Sequence, residues 1–97
     1  INGSGPAYFG LFVRELTTAG IDVGLDPEQA NKLAVQTLVG TSRYLELTGE
    51  SPQHLMDIVT SPNGTTQAAL ESFAADGLGA IVKRAVEAAV RRAEELA

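Results

Sequence analysis

The sequence has no cysteine and no tryptophan, one methionine and one histidine, and only 5% of its residues are aromatic. Without cysteine there are no disulfides and no thiolate metal sites, and the usage fits a reducing cytoplasm, the expected location. His54 stands without a second histidine or a cysteine to complete a ligand set, so no metal is expected. Positive charge is also scarce. Seven Lys and Arg stand against twelve Asp and Glu, a net charge of −5 that argues against a nucleic-acid partner. No apolar run approaches the roughly 18 residues of a membrane span. The first residues lack a basic-then-apolar signal pattern, and no membrane partner is expected.

What is present is a set of small aliphatic residues. Hydrophobic residues make up 44% of 97 positions, and alanine, leucine and valine supply most of them. β-Branched and aromatic residues are not gathered in alternating runs, which favours closely approaching helices over a sheet. The fold expected is an all-α bundle of about five helices, one domain over residues 1–97. The chain begins at Ile1 rather than methionine and so reads as an excerpt or a processed form.

Helix one is expected to begin after Ser4 as N-cap, with Pro6 in the first turn, a buried face of Ala7, Tyr8, Leu11, Phe12, Leu16 and Ala19, and Gly20 as a natural stop. Helix two has the clearest start signal: Asp26, Pro27 at the first helical position, and Gln29 at capping-box spacing. Its apolar face reads Ala30, Leu33, Ala34, Thr37, Leu38, Thr41 and Leu45, and Gly49 follows. Gly40 inside it costs about 1 kcal/mol relative to alanine. Close approach of another helix and a tolerated defect both account for it. A short helix three runs from Ser51-Pro52 to Val59, helix four carries Ala68, Ala69, Leu70 and Phe73 to Asp76-Gly77, and helix five starts at Leu78. Helix five is apolar on more than one stripe, through Ala80, Ile81, Val82, Ala85, Val86, Ala88, Ala89 and Val90. Such a helix is either central to its own bundle or a surface for a second copy.

Thr60-Ser61-Pro62-Asn63-Gly64-Thr65-Thr66 is a hydroxyl-rich turn running into the helix-four pattern. It reads in two ways: an ordinary cap and turn, or an anion site formed by the free N–H groups of a helix start. Gly3-Ser4-Gly5-Pro6-Ala7-Tyr8 imitates a dinucleotide fingerprint but has no preceding strand, no third glycine and a proline after the second, so it reads as a helix entry. A triad of Ser61, His54 and Asp57 is rejected because no nucleophile elbow accompanies it, and Arg91-Arg92-Ala93-Glu94-Glu95 reads as solvated surface.

The ordered set Ser4 to Tyr8, Ala19-Gly20, Gly24-Leu25, Gln36-Thr37, Gly40, Thr48-Gly49, Pro52, Thr60-Ser61-Pro62, Gly64-Thr65-Thr66 and Val86-Glu87-Ala88-Ala89 resembles the C-terminal domain of the pyrroline-5-carboxylate reductases. The resemblance also lets helix one bend or continue past Gly20 towards Val23. One departure is Asn63-Gly64, where that family usually has Gly-Gly. Asn tolerates positive φ well enough for the turn to survive. The resemblance implies a dimerisation and substrate-binding domain similar to the C-terminal domain of 6-phosphogluconate dehydrogenase, interlocked with a second copy and in some cases assembled into rings. It implies reduction of 1-pyrroline-5-carboxylate to L-proline with NADPH or NADH, the last step of proline biosynthesis. The nicotinamide cofactor would be held by an N-terminal nucleotide-binding domain absent from this chain. On this resemblance Thr66 is the catalytic side chain, and Ser61, Asn63, Gly64, Thr65 and Thr66 bind substrate. The N–H groups of Gly64, Thr65 and Thr66 then receive the carboxylate, and Ser4, Gly5 and Pro6 line the cleft.

Two other classes stay open. One is a ligand-free helical oligomerisation module. The other is the helical domain of a different NAD(P)-dependent dehydrogenase, which usually employs a lysine as acid or base. Lys32 and Lys83 do not neighbour the hydroxyl turn in sequence.

Overall fold

In the computed structural model, which describes residues 3–97, five α-helices and no strand occur among the described residues. They are α1 (Gly5–Asp22), α2 (Pro27–Thr48), α3 (Pro52–Ile58), α4 (Thr65–Ala75) and α5 (Leu78–Leu96). The chain divides into two compact units, Ile1–Pro52 and Gln53–Ala97. No helix among the described residues is long and apolar enough to cross a membrane.

The first unit is an antiparallel pair, and its turn chemistry is local. α1 passes through Gly20 and closes two residues after Asp22, where Gly24 takes φ 113. Gly24 N–H donates to the Ile21 carbonyl and Leu25 N–H to the Gly20 carbonyl, both at 3.0 Å, which is the Schellman closure of a helix. The stop is therefore Gly24 and not Gly20. Gly20 has a different use: a Cβ there would lie 3.3 Å from both the Ala30 Cβ and the Leu25 Cδ1, so α1 and α2 meet at this point with no room to spare. α2 starts as its sequence signals, with Asp26 Oδ2 accepting the Gln29 N–H at 3.2 Å and Pro27 at the first helical position, and it ends at Gly49 with φ 69. Ser4 departs from expectation. Its backbone is already helical and its hydroxyl caps nothing; its carbonyl instead accepts the Ala7 and Tyr8 N–H groups at 3.0 and 3.3 Å.

Burial corrects the expected faces. Ala30 and Ala34, 3% and 9% exposed, are the only buried residues among those described. On α1 the more protected positions are Tyr8, Val13, Thr17 and Gly20, whereas Ala7, Leu11, Phe12, Leu16 and Ala19 are exposed. Both faces of α1 are apolar, and periodicity alone chose the one this chain leaves uncovered. Leu33 and Thr37 of α2 are likewise exposed, and beyond its own helix backbone nothing among the described residues lies within 4 Å of a Cβ placed at Gly40.

In the second unit α4 packs on α5, and Gly77 joins them at φ 78, its carbonyl accepting the Ile81 N–H at 3.0 Å. At 100° per residue, α5 gathers Leu78, Ile81, Val82, Ala85, Val86, Ala89 and Ala93 on one broad face, and Lys83, Arg84, Glu87, Arg91 and Glu94 on the other. It is amphipathic rather than apolar all round. Only Val86 and Ala89 of that face are half-buried; Ile81 and Val82 remain about half exposed.

Candidate functional site

The hydroxyl turn is built in three steps. First, α3 is closed by Thr60, whose Oγ1 donates to the Met56 carbonyl, while Val59 N–H reaches the Leu55 carbonyl at 3.3 Å. This hydroxyl is therefore spent on the helix behind it. Second, Ser61 to Gly64 form a tight turn closed by Gly64 N–H donating to the Ser61 carbonyl at 3.0 Å. Pro62 at its second position and Asn63 at φ 62 in its third give the type II arrangement. Asn thus supplies the left-handed residue that glycine would otherwise supply. Third, Gly64 precedes α4 in an ordinary extended conformation, φ −88 and ψ −178, so its backbone requires no glycine. Space favours it instead: a Cβ there would crowd the Ser61 carbonyl oxygen at 3.2 Å.

No side chain caps α4. The first of its amides with a backbone partner is Ala68, whose N–H reaches the Gly64 carbonyl at 3.2 Å. The N–H groups of Thr65, Thr66 and Gln67 consequently point along the helix axis with no acceptor among the described residues. They are three convergent donors at the positive end of an 11-residue helix. Of the residues expected at the site, Ser61, Asn63, Gly64, Thr65 and Thr66 are adjacent in this turn. Thr66 is half-buried, and Ser61, Asn63 and Thr65 are exposed. Of the amides expected to receive a carboxylate, that of Gly64 is consumed by the turn, while that of Gln67 joins Thr65 and Thr66 in having no backbone acceptor among the described residues.

Ser4, Gly5 and Pro6 lie in the other unit, at the start of α1. That start does not fit a dinucleotide pyrophosphate. Pro6 brings no N–H, and the Ala7 and Tyr8 amides are taken by the Ser4 carbonyl. Asp57 accepts from Gln53 Nε2 at 2.9 Å. Two side chains went unnoticed in the sequence. Gln67 Oε1 accepts the Asn63 N–H, and Gln67 Nε2 donates to Glu71 Oε2 at 3.3 Å. The signal for them was present as the i, i+4, i+8 spacing of Asn63, Gln67 and Glu71.

Among the described residues the chain is all-helical, buries only two alanines and leaves broad apolar faces open, which is the character of an association domain. The family model described as pyrroline-5-carboxylate reductase dimerisation matches residues 1–96. The chain belongs to that family, whose domain forms homo-oligomers. It is 45% identical over 97 residues to the pyrroline-5-carboxylate reductase of Pseudomonas aeruginosa, covering 100% of this chain and 36% of that protein. It is 40% identical over 96 residues to pyrroline-5-carboxylate reductase 1 of Bacillus subtilis, covering 99% and 32%. The chain thus spans about a third of the length of the curated relatives it matches. Among solved structures, a Coxiella burnetii pyrroline-5-carboxylate reductase superposes with TM-score 0.93 at 39% identity, over 97% of this chain and 35% of that one. The Plasmodium falciparum pyrroline carboxylate reductase with NADP bound gives TM-score 0.88 at 36% identity, over 93% and 36%.

Proposed function

We propose that this chain is the dimerisation and substrate-binding domain of an enzyme that reduces 1-pyrroline-5-carboxylate to L-proline. The observation carrying this reading is the start of α4, where the Thr65, Thr66 and Gln67 N–H groups converge with no acceptor of their own. A ring carboxylate suits that position, since hydrogen bonds from neutral donors to a charged group contribute about 1.5–3 kcal/mol each. The Ser61 hydroxyl, held beside Gly64, is a further donor. With the carboxylate so placed, the Thr66 hydroxyl donates a hydrogen bond to the imine nitrogen, or relays a proton to it from water, as negative charge develops there. Threonine is a weak acid, so orientation and transition-state hydrogen bonding outweigh outright proton release. Thr65, exposed, contributes its amide rather than its hydroxyl.

The hydride donor is NADPH or NADH. Since the start of α1 offers no seat for a pyrophosphate, the cofactor is held by a nucleotide-binding domain outside this chain, and Ser4, Gly5 and Pro6 have at most a lining role. The functional unit is a homodimer, interlocked chiefly through the α5 face, with rings of dimers as the larger form. A cysteine-free chain suits a reducing cytoplasm. The test is turnover of 1-pyrroline-5-carboxylate by the full-length protein, followed at the nicotinamide absorbance. Absence of imine reduction with both NADPH and NADH sinks the reading.

A further inference from the structure

We propose that Gln67 is a positioning residue, holding the Ser61–Gly64 turn in register with the start of α4. The inference rests on the substrate reading above, but its geometry stands apart from it. Asn63 occupies the left-handed region at φ 62, the only non-glycine residue to do so among those described. A left-handed non-glycine residue persists only where its surroundings hold it. Two hydrogen bonds do so here. Gly64 N–H closes the turn onto the Ser61 carbonyl, and Asn63 N–H is captured by Gln67 Oε1 from the first turn of α4.

The orientation of the Gln67 carboxamide follows from donor and acceptor logic. The Asn63 N–H can only donate, so it requires the oxygen end of the amide. The ionised Glu71 carboxylate can only accept, so it requires the nitrogen end, which it meets at 3.3 Å. Glu71 and Asn63 therefore select the same rotamer from opposite sides. The relay has two consequences. It withdraws the Asn63 amide from the donors that face a ligand, leaving that role to Thr65, Thr66 and Gln67. It also holds Ser61 against Gly64, where its hydroxyl can join those donors. Losing the relay loosens a binding group without touching the group that meets the imine nitrogen, so affinity falls and turnover does not.

The experiment uses the full-length protein and two readouts: deuterium uptake by peptides covering the 61–66 turn, and steady-state kinetics with 1-pyrroline-5-carboxylate. Gln67→Met keeps the side-chain length and removes both hydrogen bonds. Uptake in the turn is expected to quicken about tenfold and KM for the imine to rise about tenfold, with kcat changed less than threefold. The exchanged pair, Gln67→Glu with Glu71→Gln, preserves charge and re-creates an acceptor for Asn63 and a donor behind it, and is expected to restore slow uptake. Unchanged uptake in Gln67→Met, or failure of the exchanged pair to restore it, overturns the relay. Faster uptake with unchanged KM overturns the positioning role. A wild-type protein that does not reduce the imine refutes the substrate reading and the affinity effect with it, while uptake still decides the relay.

Discussion

Val82 on α5 is the position where a single charge should separate one protomer from another. It is 52% exposed in the isolated chain, whereas Val86, one turn on, is already half-buried by its own protomer. Val82→Glu thus reports on association with little direct cost to the single-chain fold, and glutamate is a better helix former than valine. Completing the burial of a half-exposed valine contributes about 1 kcal/mol, half of the usual range for a whole side chain. A carboxylate left in the same place costs several kcal/mol more unless it is paired. No partner is at hand on α5, because the positions three and four residues away are Leu78, Gly79, Ala85 and Val86. In a two-fold dimer each protomer carries the change. A total of about 4–6 kcal/mol corresponds to a dissociation constant weakened about 10³- to 10⁴-fold. Sedimentation equilibrium measures it, with circular dichroism to check helix content and Lys83→Glu, on the opposite face, as the control. A Val82→Glu dissociation constant within threefold of wild type refutes the placement of the interface on this face.

Other substitutions address the turn and the first unit. Thr66→Ala in the full-length protein should lower kcat about 10- to 1000-fold, the usual effect of losing one positioned donor. Thr65→Ala should change it less than fivefold, and equal losses in the two would return the loop to a simple helix entry. Gly64→Ala should raise KM for the imine about tenfold, because its Cβ meets the Ser61 carbonyl at 3.2 Å and opens the turn; unchanged KM means the turn yields freely. Asp26→Ala removes the only side-chain cap of α2 and should destabilise the protein by about 1 kcal/mol in a denaturant melt.

The parts of the fold legible in the sequence were those decided within a few residues. Asp26-Pro27 with Gln29, Gly49 and Asp76-Gly77 mark helix ends through cap chemistry, and the structure places the ends there. Side-chain faces were less legible, because two apolar stripes on α1 carry no label saying which meets α2 and which meets another copy. The period places Leu11, Phe12 and Leu16 inward, and they lie exposed. Gly20 reads as a stop because a glycine needed for close approach looks the same in sequence as one needed for positive φ, whereas the family resemblance allows the continuation towards Val23 that the structure has. At the turn, residue types allow positive φ at Asn63 and place a helix after the hydroxyl run, and the structure has both, with φ 62 at Asn63 and α4 opening at Thr65. They did not reveal which amides the turn itself consumes, since that depends on the Ser61 carbonyl and the Gln67 side chain arriving at the same place.

The pair of buried alanines, Ala30 and Ala34, has a thermodynamic corollary. Two methyl groups supply a small fraction of the hydrophobic free energy that a folded chain needs to offset its conformational entropy. In the proposed dimer the balance comes from the second-order step, in which one protomer covers another. Folding and assembly then share one equilibrium, and the thermal midpoint depends on protein concentration as well as on temperature. Dilution acts on such a protein as a denaturant does. A tenfold drop in protomer concentration removes about 1.4 kcal/mol from the stability of a dimer with no change of solvent.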